Sequence, residues 1–380
     1  MSIALLLLTL GSALASDAAG WRMGALFVVG GALGLVLYHA AFGFTGAWRV
    51  FLTERRGAGL RAQFLMLALA SAAFLPLLSQ GAILGQPLYA SVAPLGVSVV
   101  IGAFLFGAGM QLGGACASGT LFALGGGNAR MLITLAFFLV GSLFGALHLP
   151  WWLQLPSLGR VSLLQELGLT GALAAQGGVL GLLALVSLRL ERSADRRTRP
   201  PRRPMGIHCL WQGPWPLMVG AAALAALNVV TLLLSGQGWG VSFGYTLWAA
   251  KLATAAGIDV SSWTYWSWPY PASALQGSIF AETTSVMNLG LLVGALLAAG
   301  LAGRFGPLQP VPWRAAMAAV AGGLLMGYGA RLAFGCNIGA LFTGIASGSL
   351  HGWVWLVAAV AGNLLGLRLR SLFDGSVQAR

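Results

Sequence analysis

Long apolar runs, separated by short polar or arginine-bearing stretches, constrain this chain more than any other feature. They lie near residues 3–18, 24–46, 60–80, 93–112, 130–148, 172–188, 216–235, 286–303, 315–334 and 352–368. A hydrocarbon core of ~30 Å is crossed by about 17–25 apolar residues in a helix, and every backbone polar group must find its partner within the spanning element. The runs therefore predict an all-α, polytopic membrane protein with about nine or ten transmembrane helices. Only 8% of the 380 residues are charged and 58% are hydrophobic, whereas soluble domains carry roughly 25% charged residues. A water-soluble fold is excluded on that ground.

The formal net charge of +13 raises the question of a nucleic-acid partner, and the positions of the arginines answer it. Seven fall between Arg189 and Arg203 and four between Arg49 and Arg61. Clusters at span ends are what the positive-inside rule expects of cytoplasmic loops, so no nucleic-acid partner is needed. With both clusters inside, an even number of spans must separate them, and the four runs between them satisfy this. Residues 149–170 and 257–284 then face outward, with Trp151, Trp152, Trp263, Trp266 and Trp268 at the interface, and the C-terminus is cytoplasmic. The chain divides into an N-terminal half (1–188), an Arg-rich linker (189–215) and a C-terminal half (216–380). The first run closes on Ser12-Ala-Leu-Ala-Ser16 but lacks a basic n-region, so it reads as a retained helix rather than a cleaved signal.

Cys116, Cys209 and Cys336 are too scattered for a disulfide framework or a zinc site. Two of them belong to a repeat. Gly107-Ala-Gly-Met-Gln-Leu-Gly-Gly-Ala-Cys116-Ala-Ser-Gly-Thr-Leu-Phe122 aligns with Gly327-Tyr-Gly-Ala-Arg-Leu-Ala-Phe-Gly-Cys336-Asn-Ile-Gly-Ala-Leu-Phe342, matching three glycines, both leucines, the phenylalanine and the cysteine. A weaker echo pairs Phe42-Gly43-Phe44-Thr45 with Phe243-Gly244-Tyr245-Thr246. The arginine count makes the span before Cys116 run inward and its counterpart before Cys336 run outward, so the repeat is inverted. The short apolar pieces after each cysteine, 117–124 and 337–345, are too short to cross and read as half-helices. Irregular backbone at membrane depth is tolerated where it lines a polar cavity, and inverted repeats with broken helices are a recurring transporter plan. Glycines that only permit close helix packing are the plainer reading, but that does not account for a matched cysteine.

A turn that opens a helix presents unpaired N–H groups. Residues 117–119 and 337–339, including Gly119 and Gly339, are thus placed to hold an anion without a formal positive charge. Ser118, Thr120 and Asn337 add neutral donors, and a soft thiol beside them suits a sulfur-bearing anion. Lys251, Gln111, Arg331 and Glu282 lie in or beside apolar surroundings, where such groups are costly and often functional. Lys251 follows the second echo and is positioned either to guide an anion on the outer side or to snorkel to the interface. Cys209 has no counterpart and reads as incidental. The four histidines show no ligand spacing and there is no Walker-type loop, so no metal, cofactor or direct nucleotide coupling is expected.

The Cys116 segment, together with Arg331-Leu-Ala-Phe-Gly-Cys-Asn-Ile-Gly-Ala continuing to Ser349-Leu-His-Gly-Trp353, resembles the YeeE/YedE family of bacterial inner-membrane proteins over nearly the whole chain after residue 20. The resemblance implies a thiosulfate uptake transporter rather than an enzyme, with long and short helices in a pseudo-symmetric hourglass and thiosulfate passed between cysteines by transient S–H contacts. It also implies a cytoplasmic TusA-like sulfurtransferase as a partner, besides membrane lipid. Family members commonly carry a third pathway cysteine in a segment that matches Phe42-Gly43-Phe44-Thr45-Gly46-Ala47-Trp48-Arg49, and here Gly43 takes its place. Gly43 and Thr45 are thereby implied as pathway positions. Another sulfur or selenium species as cargo, or a membrane sulfurtransferase, remain the alternatives.

Overall fold

A computed structural model describes residues 1–83, 85–193, 208–304 and 310–373. The helices are α1 (Ser2–Ala19), α2 (Trp21–His39), α3 (Phe44–Glu54), α4 (Ala58–Ser79), α5 (Val97–Gly113), α6 (Ala117–Gly125), α7 (Arg130–Trp152) and α8 (Leu163–Ser193), followed by the short α9 (Cys209–Gln212). The second half adds α10 (Leu217–Ser235), α11 (Ser242–Ala255), α12 (Pro269–Gln276), α13 (Thr283–Leu301), α14 (Trp313–Leu332), α15 (Asn337–Ala346) and α16 (Leu350–Arg370). Among the described residues ten spans are long and apolar enough to cross a bilayer, and the ten expected runs overlie them within a few residues except at two places. The chain is an all-α, multi-pass membrane protein. Large apolar side chains such as Leu132, Phe144, Leu182, Leu185 and Val357 are exposed on the flanks of the bundle, which only a hydrocarbon solvent makes favourable. Most of the linker expected at 189–215 lies outside the described residues.

The first departure is the run expected at 24–46. It stops at His39, and α3 restarts at Phe44. Ala41 sits at φ 46° and Gly43 is extended at φ −116°, so Phe42-Gly43 forms a break that hydropathy alone does not register. The second is α8, which begins earlier than expected and is interrupted at Gly168, φ 66°. The two expected half-helices are present as α6 and α15. The first seven residues of α15, Asn337–Thr343, wind as a wide π-helix, a local distortion often found at functional sites.

The most extensive helix contacts run between the halves: α7 with α14, α2 with α13, α5 with α16 and α5 with α14. Exchanging each element for its counterpart, α5 for α14 and α7 for α16, turns the α5–α16 contact into α14–α7. The halves are therefore interlocked. At the centre α5 and α14 cross antiparallel, with Gly102 against the Gly329 carbonyl, Gly109 against Gly322, and Gly113 against Gly322 again. That antiparallel crossing is the inverted relation expected of the repeat. Without a hydrophobic driving force between helices in lipid, such small-residue seams supply the packing.

The two ends of the bundle differ. On the tryptophan face, strands β1 (Ala82–Ile83), β2 (Gln86–Pro87), β3 (Pro94–Gly96) and β4 (Ser157–Arg160) form two short antiparallel pairs, β1 with β2 and β3 with β4. There Leu149 packs with Val260, Tyr265 and Trp266, so 149–170 and 257–284 share one face. On the arginine face, Arg61 Nη1 meets Glu191 Oε2 at 2.5 Å, and the Trp215 amide donates to the His39 carbonyl at 2.8 Å.

Candidate functional site

Each cysteine lies just past the end of one of the two crossing helices, where the chain turns back into a half-helix. After α5, Gly114 at φ 88° makes the turn. After α14, Phe334 at φ 55° and Gly335 at φ 156° make it. A Cβ at Gly335 would lie 2.5 Å from the Ala340 amide nitrogen, so only glycine fits there. Both cysteines are extended N-caps, and each thiol stands where Ser or Asp commonly caps a helix. Cys116 Sγ accepts from the Gly119 amide at 3.4 Å, and Cys336 Sγ accepts from the Ile338 amide at 3.5 Å. Both are essentially fully buried. The repeat thus yields two thiol-capped helix N-termini, each with its amides gathered around a sulfur atom.

The echo segments land beside them. The Phe44 backbone amide reaches Cys116. From the other half, the buried Tyr245 hydroxyl donates to the Ala117 carbonyl at 2.9 Å. Tyr245 lies within electrostatic reach of both thiols, and the thiols within reach of each other. One tyrosine therefore bridges the two halves at the centre. No sequence reasoning singled it out, although the echo aligning Phe44 with Tyr245 pointed to it.

The polar residues around the centre divide into those satisfied within the protein and those that are not. Thr120 spends its hydroxyl on the Cys116 carbonyl at 2.9 Å, and Ser118 Oγ lies 3.6 Å from Cys116 Sγ. In contrast, the Asn337 carboxamide is wholly buried with neither its oxygen nor its nitrogen partnered by the protein, and Thr45 Oγ1 is equally alone. An unsatisfied buried polar group costs about 1–3 kcal/mol, so such groups mark places where the protein leaves hydrogen-bonding capacity for something else. The glycines show where room exists. Cβ atoms built at Gly43, Gly46 and Gly339 would meet no heavy atom within 4 Å, although all three are half-buried.

Eight of the ten expected site residues gather here: Cys116, Ser118, Gly119, Thr120, Cys336, Asn337 and Gly339 around the two half-helices, and Thr45, whose carbonyl accepts from Gln111 of α5 at 3.2 Å. Gly43 lies two residues before Thr45 at the start of α3, facing open space. Lys251 is placed differently. Its ammonium donates to the Leu275 and Gly277 carbonyls at 2.8 and 2.7 Å, tying α11 to the end of α12 on the tryptophan face, six residues and roughly 9 Å along the helix from Tyr245. Cys209 sits in α9, away from the repeat. Among the described residues no cluster of His, Cys, Asp and Glu could hold a metal ion.

A family model described as "Sulphur transport" matches residues 39–365, most of the chain. The probable transporter YedE of Escherichia coli (strain K12) is 32% identical over 158 residues, 42% of this chain and 38% of that protein. The chain thus spans well under half the length of the YedE proteins it matches. Two relatives align over nearly their full length. A thiosulfate transporter TsuA of Spirochaeta thermophila is 29% identical over 357 residues, 88% of this chain and 95% of the relative. The TsuA of Escherichia coli (strain K12) is 25% identical over 340 residues, 88% and 91% respectively.

Proposed function

This chain belongs to the sulphur transport family, the YeeE/YedE proteins, and from that premise we propose that it carries a sulfur-bearing anion, thiosulfate, into the cell across the bacterial inner membrane. The observation that carries the reading is the pair of thiol-capped helix N-termini that follow the two antiparallel crossing helices, with Tyr245 of the second half donating to Ala117 at the first of them. Thiosulfate has a hard end of three oxygens and a soft terminal sulfur. The amides opening α6 and α15 suit the oxygens, and a neutral S–H beside each suits the soft sulfur. Two such half-sites in opposite orientation let the anion pass from one to the other without meeting bare hydrocarbon, where its charge would be prohibitive. No bond to the substrate forms or breaks in this scheme.

The Asn337 carboxamide adds an unspent donor on the Cys336 side, and Gly339 and Gly43 leave the clearance through which a small anion moves. Gly43 holds the place of the family's third cysteine, so the relay here runs on two thiols. The arginine clusters orient the chain with their face and the C-terminus in the cytoplasm. A TusA-like sulfurtransferase accepting thiosulfate sulfur would dock on that basic face. The names of the two TsuA relatives support the substrate class at 29% and 25% identity.

The test is uptake of sulfur-35 thiosulfate into cells lacking their own importers, with wild type, Cys116→Ala and Cys336→Ala at matched membrane levels. Loss of uptake in both variants is expected, and unchanged uptake in both would sink the relay. Competition by selenite, sulfite or sulfate in the same assay identifies a different preferred cargo. A stable persulfide on Cys116 with no vesicle uptake would instead mark a membrane sulfurtransferase.

A further inference from the structure

The crossing helices carry, five residues before each cysteine, a long polar side chain at the same position of the repeat: Gln111 in α5 and Arg331 in α14. Each reaches the threonine of an echo segment. Gln111 Nε2 donates to the Thr45 carbonyl at 3.2 Å and to Asn363 Oδ1 at 2.6 Å. Arg331 Nη1 donates to the Tyr265 hydroxyl at 2.9 Å and stands 3.5 Å from Thr246 Oγ1. The equivalence ends at charge. At this repeat position one of the crossing helices holds a neutral amide, the other a guanidinium.

That guanidinium has no direct ion pair among the described residues. Arg331 is 9% exposed, its Nε has no partner, and no carboxylate lies within 4 Å of it among the described residues. Its neighbours Tyr265 and Thr246 are uncharged, and the Tyr265 ring lies 5.4 Å from the guanidinium carbon. Glu282, the acid that reaches Tyr265 electrostatically, is held by the Thr284 and Ser285 amides at 2.8 and 2.7 Å and by the Tyr270 hydroxyl at 3.0 Å. Buried charges are ordinarily paired, and a nearly buried arginine without an acid in contact has capacity for an external anion. Tyr265, accepting from Arg331 through its oxygen, keeps a proton to donate to the same anion. Thr246 has already given its own to the Ser242 carbonyl at 3.0 Å.

Building on the transport reading above, we propose that Arg331 and Tyr265 form an anion-capturing site at the tryptophan-face mouth, and that Gln111 is its neutral counterpart at the other mouth. The repeat position then carries a charge on the tryptophan side and none on the other, where the neighbouring Arg130 donates to the Leu112 carbonyl at 2.6 Å. Substrate is concentrated where it enters.

Purified full-length protein in vesicles of neutral phospholipid, given sulfur-35 thiosulfate over a range of concentrations, tests this. Arg331→Gln, which makes the two repeat positions alike, is expected to raise the half-saturating concentration about tenfold or more, the range of a charge-assisted hydrogen bond, while changing the maximal rate far less. Arg331→Lys should restore most of the affinity, which a purely structural tie to Tyr265 would not. Half-saturation unchanged in folded Arg331→Gln overturns the proposal and leaves thiosulfate transport standing. Should Arg331→Gln not fold, Tyr265→Phe carries the test: a rise of about threefold or more supports it, and wild-type affinity overturns it. If wild type moves no thiosulfate, the transport reading fails separately, and calorimetry of thiosulfate binding to detergent-purified protein decides whether affinity depends on Arg331.

Discussion

Two glycine-to-alanine changes, each adding one methyl group, should have opposite consequences, and the contrast separates what builds the protein from what it conducts through. At Gly322 a new Cβ would stand 2.1 Å from the Gly113 amide nitrogen and 2.6 Å from both the Gly109 carbonyl oxygen and Gly113 Cα. All three are backbone atoms that cannot rotate away. Carbon contacts are comfortable near 3.5 Å, so α5 and α14 must part by about an ångström or more. Overpacking of this kind costs about 1–3 kcal/mol. We expect the upper part of that range, because the other glycine contacts of the same seam loosen together and a gap of about 0.5–1 Å forfeits a quarter to a half of a dispersion well. At Gly339 the added Cβ meets nothing within 4 Å and φ lies outside the left-handed region. Alanine there should be neutral or stabilise by up to about 1 kcal/mol through helix propensity. Its methyl nevertheless stands three residues from Cys336 in the proposed route. The assay pairs thermal unfolding in detergent with sulfur-35 thiosulfate uptake. Gly322→Ala should unfold at a lower temperature. Gly339→Ala should unfold at or above the wild-type temperature yet lose uptake severalfold. Wild-type uptake by Gly339→Ala would refute the assignment of that open space to the route, and a wild-type unfolding temperature for Gly322→Ala would refute the close antiparallel seam.

Other expectations follow from the same geometry. Gly43→Cys should fold normally, because φ −116° suits any residue and no atom lies within 4 Å of the new Cβ; in a Cys209→Ser background the added thiol should be alkylated by a small maleimide and protected by thiosulfate, and a folded protein that resists labelling would show that Gly43 does not line the route. Asn337→Leu removes an unpartnered buried carboxamide and should leave stability unchanged or raise it by about 1 kcal/mol while lowering thiosulfate uptake; a stable variant with full uptake would remove Asn337 from the site. Tyr245→Phe deletes the hydrogen bond to the Ala117 carbonyl at a cost of about 1 kcal/mol and should reduce uptake by loosening the α6 N-terminus, an outcome checked by comparing initial rates at matched protein levels.

Much of the architecture was legible in the sequence because lipid imposes so few solutions. Apolar runs of sufficient length must be helices, and all ten were placed to within a few residues apart from the break after His39 and the early start of α8. Matched cysteines and glycines marked both half-helices, since a turn at membrane depth needs small residues and a local reason to exist. The break at Phe42-Gly43 leaves no mark in the apolar run because hydropathy is blind to backbone torsion, and Ala41 at φ 46° is imposed by its surroundings.

Residue pattern alone thus defines a membrane-spanning, internally repeated chain with one thiol at the head of each half-helix. The tertiary structure decided what those thiols face. Tyr245, in α11 of the second half, donates across the centre to Ala117 of the first, a meeting of residues far apart in the chain that no local pattern encodes. Lys251, which the sequence offered either as an anion guide or as a side chain snorkelling to the interface, is held by two carbonyls at the end of α12, whereas Arg331 has no acid within ion-pair distance among the described residues. Whether a charged side chain is spent on its own protein or left for a ligand depends on which backbone groups folding brings within hydrogen-bond reach, and that is a property of the packed molecule.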